Sequence, residues 1–107
     1  IGIPTFDRPD LVIETIESVR RQSFTDFRAV VSDNRSGGDT PERVRSYVEG
    51  LRDPRFRFVS QPENKGEYGQ GRYFLEASAG SEYLMILHDD DLLETDYLRI
   101  AVTALDE

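Results

Sequence analysis

Apolar positions along the chain change spacing several times, between the short runs of strands and the three-to-four-residue spacing of helices. Residues 1–5 (Ile-Gly-Ile-Pro-Thr) read as the tail of a strand, stopped by Pro4. The pattern then predicts a helix over about residues 9–22: Pro9 suits the first turn, Asp10 complements the helix dipole, and Leu11, Val12, Ile16 and Val19 form one stripe. Residues 27–32 read as a second strand, and residues 33–38 (Asp-Asn-Arg-Ser-Gly-Gly) as the loop at its carboxyl end. Thr40-Pro41-Glu42 opens a second helix with a hydroxyl cap and a proline in the first turn, and Val44, Tyr47, Val48 and Leu51 make its apolar face.

Asp53-Pro54 ends that helix, and residues 56–60 form a short third strand. The polar, glycine-bearing stretch 61–71 leads into a third helix reaching Ala79, with Gly80 where a C-terminal cap belongs. The unbroken apolar run 83–87 (Tyr-Leu-Met-Ile-Leu) predicts a fourth strand buried on both faces, followed directly by His88-Asp89-Asp90-Asp91. A last helix starts near Thr95 and uses Tyr97, Leu98, Ala101 and Leu105. The order β-α-β-α-β-α-β-α predicts an α/β fold: half of a doubly wound, mostly parallel sheet with flanking helices.

Composition narrows the function classes. With 13 basic and 21 acidic residues the 107-residue chain carries a formal charge of −8, which disfavours the counterion-displacing contacts of a nucleic-acid binder. There is no cysteine, so disulfides, zinc–thiolate sites and thiol nucleophiles are excluded. No apolar run approaches the roughly 20 residues that span a bilayer. A start without Met, partway through a strand, and an end inside a helix predict a piece of a longer protein, truncated at both ends.

Open parallel sheets bind ligands outside the carboxyl ends of their strands. That rule selects three loops: Thr5-Phe6-Asp7-Arg8, Asp33-Asn34-Arg35 and residues 88–91. Three adjacent carboxylates repel one another, and a cation such as Mg²⁺ or Mn²⁺ would neutralise Asp89, Asp90 and Asp91; a solvated acidic loop is the plainer alternative. Asp33 could accept hydrogen bonds from a base or a ribose, or serve only as a turn residue before Gly37-Gly38. Arg8 and Arg72 have the fork that matches phosphate oxygens, although twelve arginines make a surface role the default for any one of them. Gly66, Gly69 and Gly71 match neither the dinucleotide fingerprint nor a Walker A loop. His88 is the sole histidine, and such a residue at a strand end is more often structural than a ligand.

Four runs then stand in register: Ile3-Pro4-Thr5-Phe6-Asp7-Arg8-Pro9, Val30-Val31-Ser32-Asp33-Asn34-Arg35-Ser36, Pro62-Glu63-Asn64-Lys65-Gly66, and Leu87-His88-Asp89-Asp90-Asp91-Leu92-Leu93. Together they resemble the family 2 glycosyltransferases of the GT-A fold, over essentially the whole chain. The resemblance implies that residues 1–107 are the nucleotide-sugar-binding portion of such a domain, using Mn²⁺ or Mg²⁺. By position, Thr5 and Phe6 would line the base pocket with Arg8 near it, and Asp33 would bond the base, commonly uracil. Asn64, Gly66 and Arg72 would lie near the ribose or diphosphate, although many relatives have Arg-Asn where this chain has Gly71-Arg72. Asp89 would contact the ribose, and Asp90, with Asp91 beside it, the metal. If Asp90 is the ligand, His88 takes the first place of the D-x-D motif; reading Asp89-Asp90-Asp91 itself as D-x-D shifts the register by one.

The family's usual inverting mechanism needs a general base for the acceptor hydroxyl, normally supplied from the second half of the domain. The resemblance therefore implies a sugar transferase for which this piece supplies donor and metal binding without an identified catalytic residue, and which is inactive alone. It implies an unidentified glycan, lipid or protein acceptor, and a cytoplasmic setting associated in some relatives with the cytoplasmic face of a membrane. A non-catalytic nucleotide- or sugar-binding domain on the same scaffold is the alternative. A receiver-type phosphoacceptor module is disfavoured, because Asp7 stands alone after the first strand and Lys65 is the only lysine.

Overall fold

The structure, a computed structural model, describes all residues from Ile1 to Glu107. Its elements run β1 (Gly2–Thr5), α1 (Pro9–Arg20), β2 (Ala29–Asp33), α2 (Thr40–Gly50), β3 (Phe56–Ser60), α3 (Gly66–Ala77) and α4 (Tyr97–Asp106). The strands form one parallel sheet in the order β1-β2-β3, with Ile3 beside Val31 and Val31 beside Phe58. The α/β class and the parallel sheet are as the apolar spacing predicts. No helix is long and apolar enough to cross a membrane.

Alternation along each strand sorts the two faces of the sheet. Ile3, Ala29, Val31 and Phe56 form the main core with Val12, Ile16 and Val19 of α1 and Val44 and Val48 of α2. On the opposite face α3 packs through Phe74 and Gln70, which are 2% exposed. Gly2 allows that approach: a Cβ there would lie 2.4 Å from Cγ of the Phe74 ring. Gln70 holds the same helix down by a polar route. Its amide accepts a hydrogen bond from the Ser32 hydroxyl at 2.7 Å and donates to the Ser32 carbonyl at 2.8 Å, and Gln61 donates to the same hydroxyl at 2.9 Å.

The fourth strand departs from expectation. Segment 83–87 lies parallel beside β1 but joins it by a single bridge, Gly2 with Ile86. Gly2 donates to the Met85 carbonyl at 2.8 Å and accepts from the Leu87 amide at 2.9 Å. The next backbone nitrogen of β1 aimed at this segment belongs to Pro4, which has no hydrogen to donate, so the ladder stops there. Nor is the run buried on both faces: Leu87 is 4% exposed, but Ile86 and Tyr83 are exposed by 41% and 39%. Apolar composition alone does not distinguish a central strand from an edge segment.

Smaller differences are local. The first helix ends at Arg20, the third at Ala77, and the last begins at Tyr97 rather than Thr95. Thr40 is the first residue of α2 instead of its cap, and no side chain caps that helix. The second strand starts at Ala29, two residues later than the pattern suggests, and includes Asp33.

Where β3 begins, Arg55 grips Asp53 with its Nε 3.0 Å from Oδ1 and its Nη2 2.7 Å from Oδ2, while its guanidinium lies 4.5 Å from the centre of the Phe27 ring. The hydrogen bonds from Arg55 hold the Asp53 carboxyl below the usual carboxylate range, against a smaller upward effect of burial. Its contribution to stability is therefore complete above the unfolded value, near pH 4, and is lost as pH falls through the lower folded value. Thermal melts across pH 5 to 2 should show a shallower acid loss in Asp53→Asn than in the parent protein. Gly2→Ala should destabilise by about 1–3 kcal/mol through overpacking against Phe74. The double variant Gly2→Ala/Phe74→Leu should recover part of that loss in a denaturant titration.

Candidate functional site

Adding segment 83–87 to the sheet makes the spatial order β3-β2-β1-(83–87), so the order reverses between β1 and this segment. The carboxyl ends that meet at the reversal are Thr5 and the 88–91 loop, the place where a doubly wound sheet opens a crevice.

Asp89 joins the two ends. It is 8% exposed, and its Oδ2 accepts from the Thr5 hydroxyl at 3.0 Å and from the Phe6 amide at 3.4 Å. Nη1 of Arg8 reaches its Oδ1 at 3.4 Å and Oδ2 of Asp90 at 3.6 Å. A buried carboxylate needs such donors to offset the loss of hydration. The charge repulsion read from the acidic run is thus relieved at Asp89 and Asp90 by Arg8. Asp90 and Asp91 are exposed, and so is His88, whose carbonyl accepts from the Asp91 amide at 3.1 Å.

The loop after β2 is tied to the loop after β1 through one hydroxyl. Asp33, with no exposed surface, accepts the Ser36 amide on Oδ2 at 2.8 Å and the Ser36 hydroxyl on Oδ1 at 2.6 Å. The same hydroxyl accepts from the Asp7 amide at 2.8 Å, and the Gly37 amide donates to Oδ1 of Asp7 at 3.0 Å. Asp7 and Arg35 both have positive φ, 53° and 65°, a region that non-glycine residues occupy at some cost. The reciprocal bonds around Ser36 hold Asp7 there, and Arg35 donates to the Pro62 carbonyl at 2.9 Å.

The third expected group meets this hub at Asn34. The Asn34 amide donates to the Thr5 carbonyl at 2.9 Å. Its side chain donates to Oδ1 of Asn64 at 3.0 Å and accepts from the Lys65 amide at 2.7 Å. Oδ1 of Asn64 also accepts the Gly66 amide at 2.9 Å, at a glycine whose φ of 68° starts α3. Thr5, Phe6, Arg8, Asp89 and Asp90 therefore meet directly, and Asp33, Asn64 and Gly66 join them through Ser36 and Asn34. Arg72 stands apart: it lines a groove with Asn64, Lys65, Gly69, Tyr73 and Glu76, 4.0 Å from the Glu76 carboxylate.

Reading the sequence alone gives no role to Asn34, to Ser36 or to a polar row running along α1. Thr15 and Ser18 on that helix, and Gln22 just past its end, reach the backbone of residues 91–98, with the Thr15 hydroxyl 2.8 Å from the Asp91 carbonyl. The available signal is a run of hydroxyl and amide residues interleaved with the apolar stripe Val12, Ile16 and Val19.

No three acidic or histidine side chains converge into a metal cage. The exposed carboxylate of Asp90, half open to solvent, fits the other way of holding Mg²⁺ or Mn²⁺: one or two carboxylates, completed by phosphate oxygens and water.

Comparison with known proteins identifies the family and the fold. The model of Glycosyl transferase family 2 matches residues 1–107. The chain is 35% identical over 94 residues to a GalNAc(5)-diNAcBac-PP-undecaprenol beta-1,3-glucosyltransferase of Campylobacter jejuni, covering 85% of this chain and 29% of that protein. It is 30% identical over 108 residues to the poly(ribitol-phosphate) beta-N-acetylglucosaminyltransferase TarS of Staphylococcus aureus, covering 98% of this chain and 18% of TarS. It thus spans less than a third of either relative. Among solved structures, TarS 1–349 in complex with UDP-GlcNAc superposes with a TM-score of 0.79 at 24% identity, over 98% of this chain and 30% of that one. The Pyrobaculum calidifontis mannosyltransferase PcManGT, in complex with GDP-Man and Mn²⁺, gives 0.80 at 23%, over 99% and 31%. The fold is that of the GT-A glycosyltransferases, and the chain belongs to glycosyltransferase family 2.

Proposed function

We propose that this chain binds a nucleoside-diphosphate sugar, with UDP as the preferred nucleotide, together with Mn²⁺ or Mg²⁺ at the reversal of strand order. The protein to which it belongs transfers the sugar to an acceptor hydroxyl with inversion. The observation that carries this reading is the placement of two neighbouring carboxylates in different states: Asp89 buried and fixed by Thr5, Phe6 and Arg8, Asp90 exposed beside it.

In this reading Asp89 accepts from a ribose hydroxyl, while Thr5 and the exposed ring of Phe6 border the base. Asp90, with Asp91 next to it, holds the cation against the diphosphate. Neutralisation of the charge on a departing diphosphate is the chemistry that a cation held there would supply. Arg8 sits at the mouth of the crevice, where its guanidinium can exchange carboxylate for phosphate oxygens. Asp33 has no exposed surface, so a direct bond to a base requires the 34–36 turn to move; its bonds to Ser36 fix that turn. Asn64 and Gly66 border the diphosphate from the start of α3, and Arg72 reaches it only from the neighbouring groove. Inverting transfer also requires a general base for the acceptor, a role assigned to none of these residues.

The test is a melt of the protein with UDP or GDP, with and without Mn²⁺. A ligand at 100 times its dissociation constant stabilises a fold by about 2.7 kcal/mol. UDP should raise the melting temperature only when Mn²⁺ is present, and GDP should do so less; no shift with UDP and Mn²⁺ together refutes the reading. Asp90→Asn should abolish the Mn²⁺ dependence and leave the unliganded melt unchanged, because its carboxylate is exposed. Asp89→Asn should lower the unliganded melt as well, by about 1–3 kcal/mol, as expected when one partner of a buried charged network is neutralised.

A further inference from the structure

The segment that follows the acidic loop has almost no regular structure until α4, yet five backbone groups between Asp91 and Leu98 bond to α1 or to the turn that ends it. The Thr15 hydroxyl lies 2.8 Å from the Asp91 carbonyl and 3.2 Å from the Leu11 carbonyl of its own helix. Ser18 donates to the Thr15 carbonyl at 2.7 Å and accepts the Leu93 amide at 3.1 Å. Gln22 donates to the Glu94 carbonyl at 2.7 Å and accepts the Leu98 amide at 3.0 Å. The Ser23 amide adds a bond to the Thr95 carbonyl at 2.9 Å.

Residues 15, 18 and 22 follow one another along one side of α1 and its terminal turn, at the spacing that aligns side chains on a helix. Thr15 has no exposed surface and Gln22 is 4% exposed, so these groups are kept among Val12, Ile16 and Val19 at the cost of desolvation. A helical threonine can satisfy its hydroxyl within its own turn. The shorter approach to Asp91 shows that here it is turned toward the acidic loop.

We propose that Thr15, Ser18 and Gln22 are positioning residues that set the location of Asp89, Asp90 and Asp91, and so the affinity for nucleotide and cation. They touch neither ligand; they act through the backbone of residues 91–98. The proposal rests on the donor-binding reading above. The row begins at the last of the acidic residues, Asp91, and Pro4 denies the preceding segment a continuous ladder to β1. The loop is therefore held from three sides: by one bridge before it, by the bonds to Asp89 within it, and by α1 after it.

Thr15→Val keeps the side-chain shape and removes the hydroxyl; Thr15→Ser restores the hydroxyl. Two measurements on the protein separate the clasp from the donor-binding reading. Calorimetric titration of UDP in Mn²⁺ should show affinity weakened about fivefold in Thr15→Val and Ser18→Ala, and restored to within about twofold in Thr15→Ser. Amide hydrogen exchange of the unliganded protein should show residues 89–93 exchanging about tenfold faster in Thr15→Val, with the amides of β2 unchanged. Unchanged UDP affinity in both weakening variants, with wild-type binding intact, overturns the proposal. If the wild-type protein binds no UDP, the donor-binding reading fails and ligand positioning fails with it. The exchange data then decide the clasp alone: accelerated exchange at 89–93 supports it, and unchanged exchange overturns it.

Discussion

Burying the Asp89 carboxylate is the constraint around which the carboxyl edge of the sheet is arranged. A charge with so little exposed surface must be met by donors, and the donors it meets lie across the reversal of strand order: a hydroxyl and an amide at the end of β1 and a guanidinium just beyond. The loop after β1 cannot move away without stranding that charge, and residues 88–91 cannot move without losing the same bonds. Asp90, one residue on, gains a defined location while staying open to solvent. One paired carboxylate thereby presents a second, available one.

The remaining loops are organised by short polar side chains that each bond in two directions. Ser36 donates to Asp33 and accepts from Asp7, so it joins the turns after β2 and β1. Asn34 accepts from Lys65 and donates to Asn64, so it joins β2 to the start of α3. Ser32, lower on β2, does the same with Gln61 and Gln70. No buried side-chain nitrogen or oxygen is left without a partner. In a sheet this small, such fully matched groups specify a unique arrangement of loops that apolar packing alone would leave free.

Much of this is legible in the sequence. The first, second and last helices and the first three strands follow from apolar spacing, whereas the third helix starts at Gly66, inside the stretch read as a polar lead-in; the three candidate loops follow from the rule that ligands gather at carboxyl strand ends. The acidic run stands at the reversal of strand order, but composition cannot say that Asp89 is buried and Asp90 exposed, because that depends on β1 lying alongside. The fourth strand is over-read for a related reason. The run Tyr-Leu-Met-Ile-Leu is as apolar as a central strand, and what limits its pairing is Pro4, in another strand altogether. Asn34 is picked out only as part of its loop, and Ser36 and the row of Thr15, Ser18 and Gln22 gain no role of their own, because such residues are common in turns and on helix surfaces. Only their partners, far along the chain, make them distinctive.

The missing hydrogen on Pro4 has a mechanical consequence. Backbone ladders make neighbouring strands move as one body, whereas a single bridge followed by side-chain bonds is a compliant joint. Beyond that bridge the end of β1 and residues 88–91 are coupled through Thr5, Phe6, Arg8 and Asp89, so the joint is as firm as the bonds to one buried carboxylate. The parallel sheet on the far side of β1, joined by continuous ladders to β2 and β3, does not depend on any single side chain in this way.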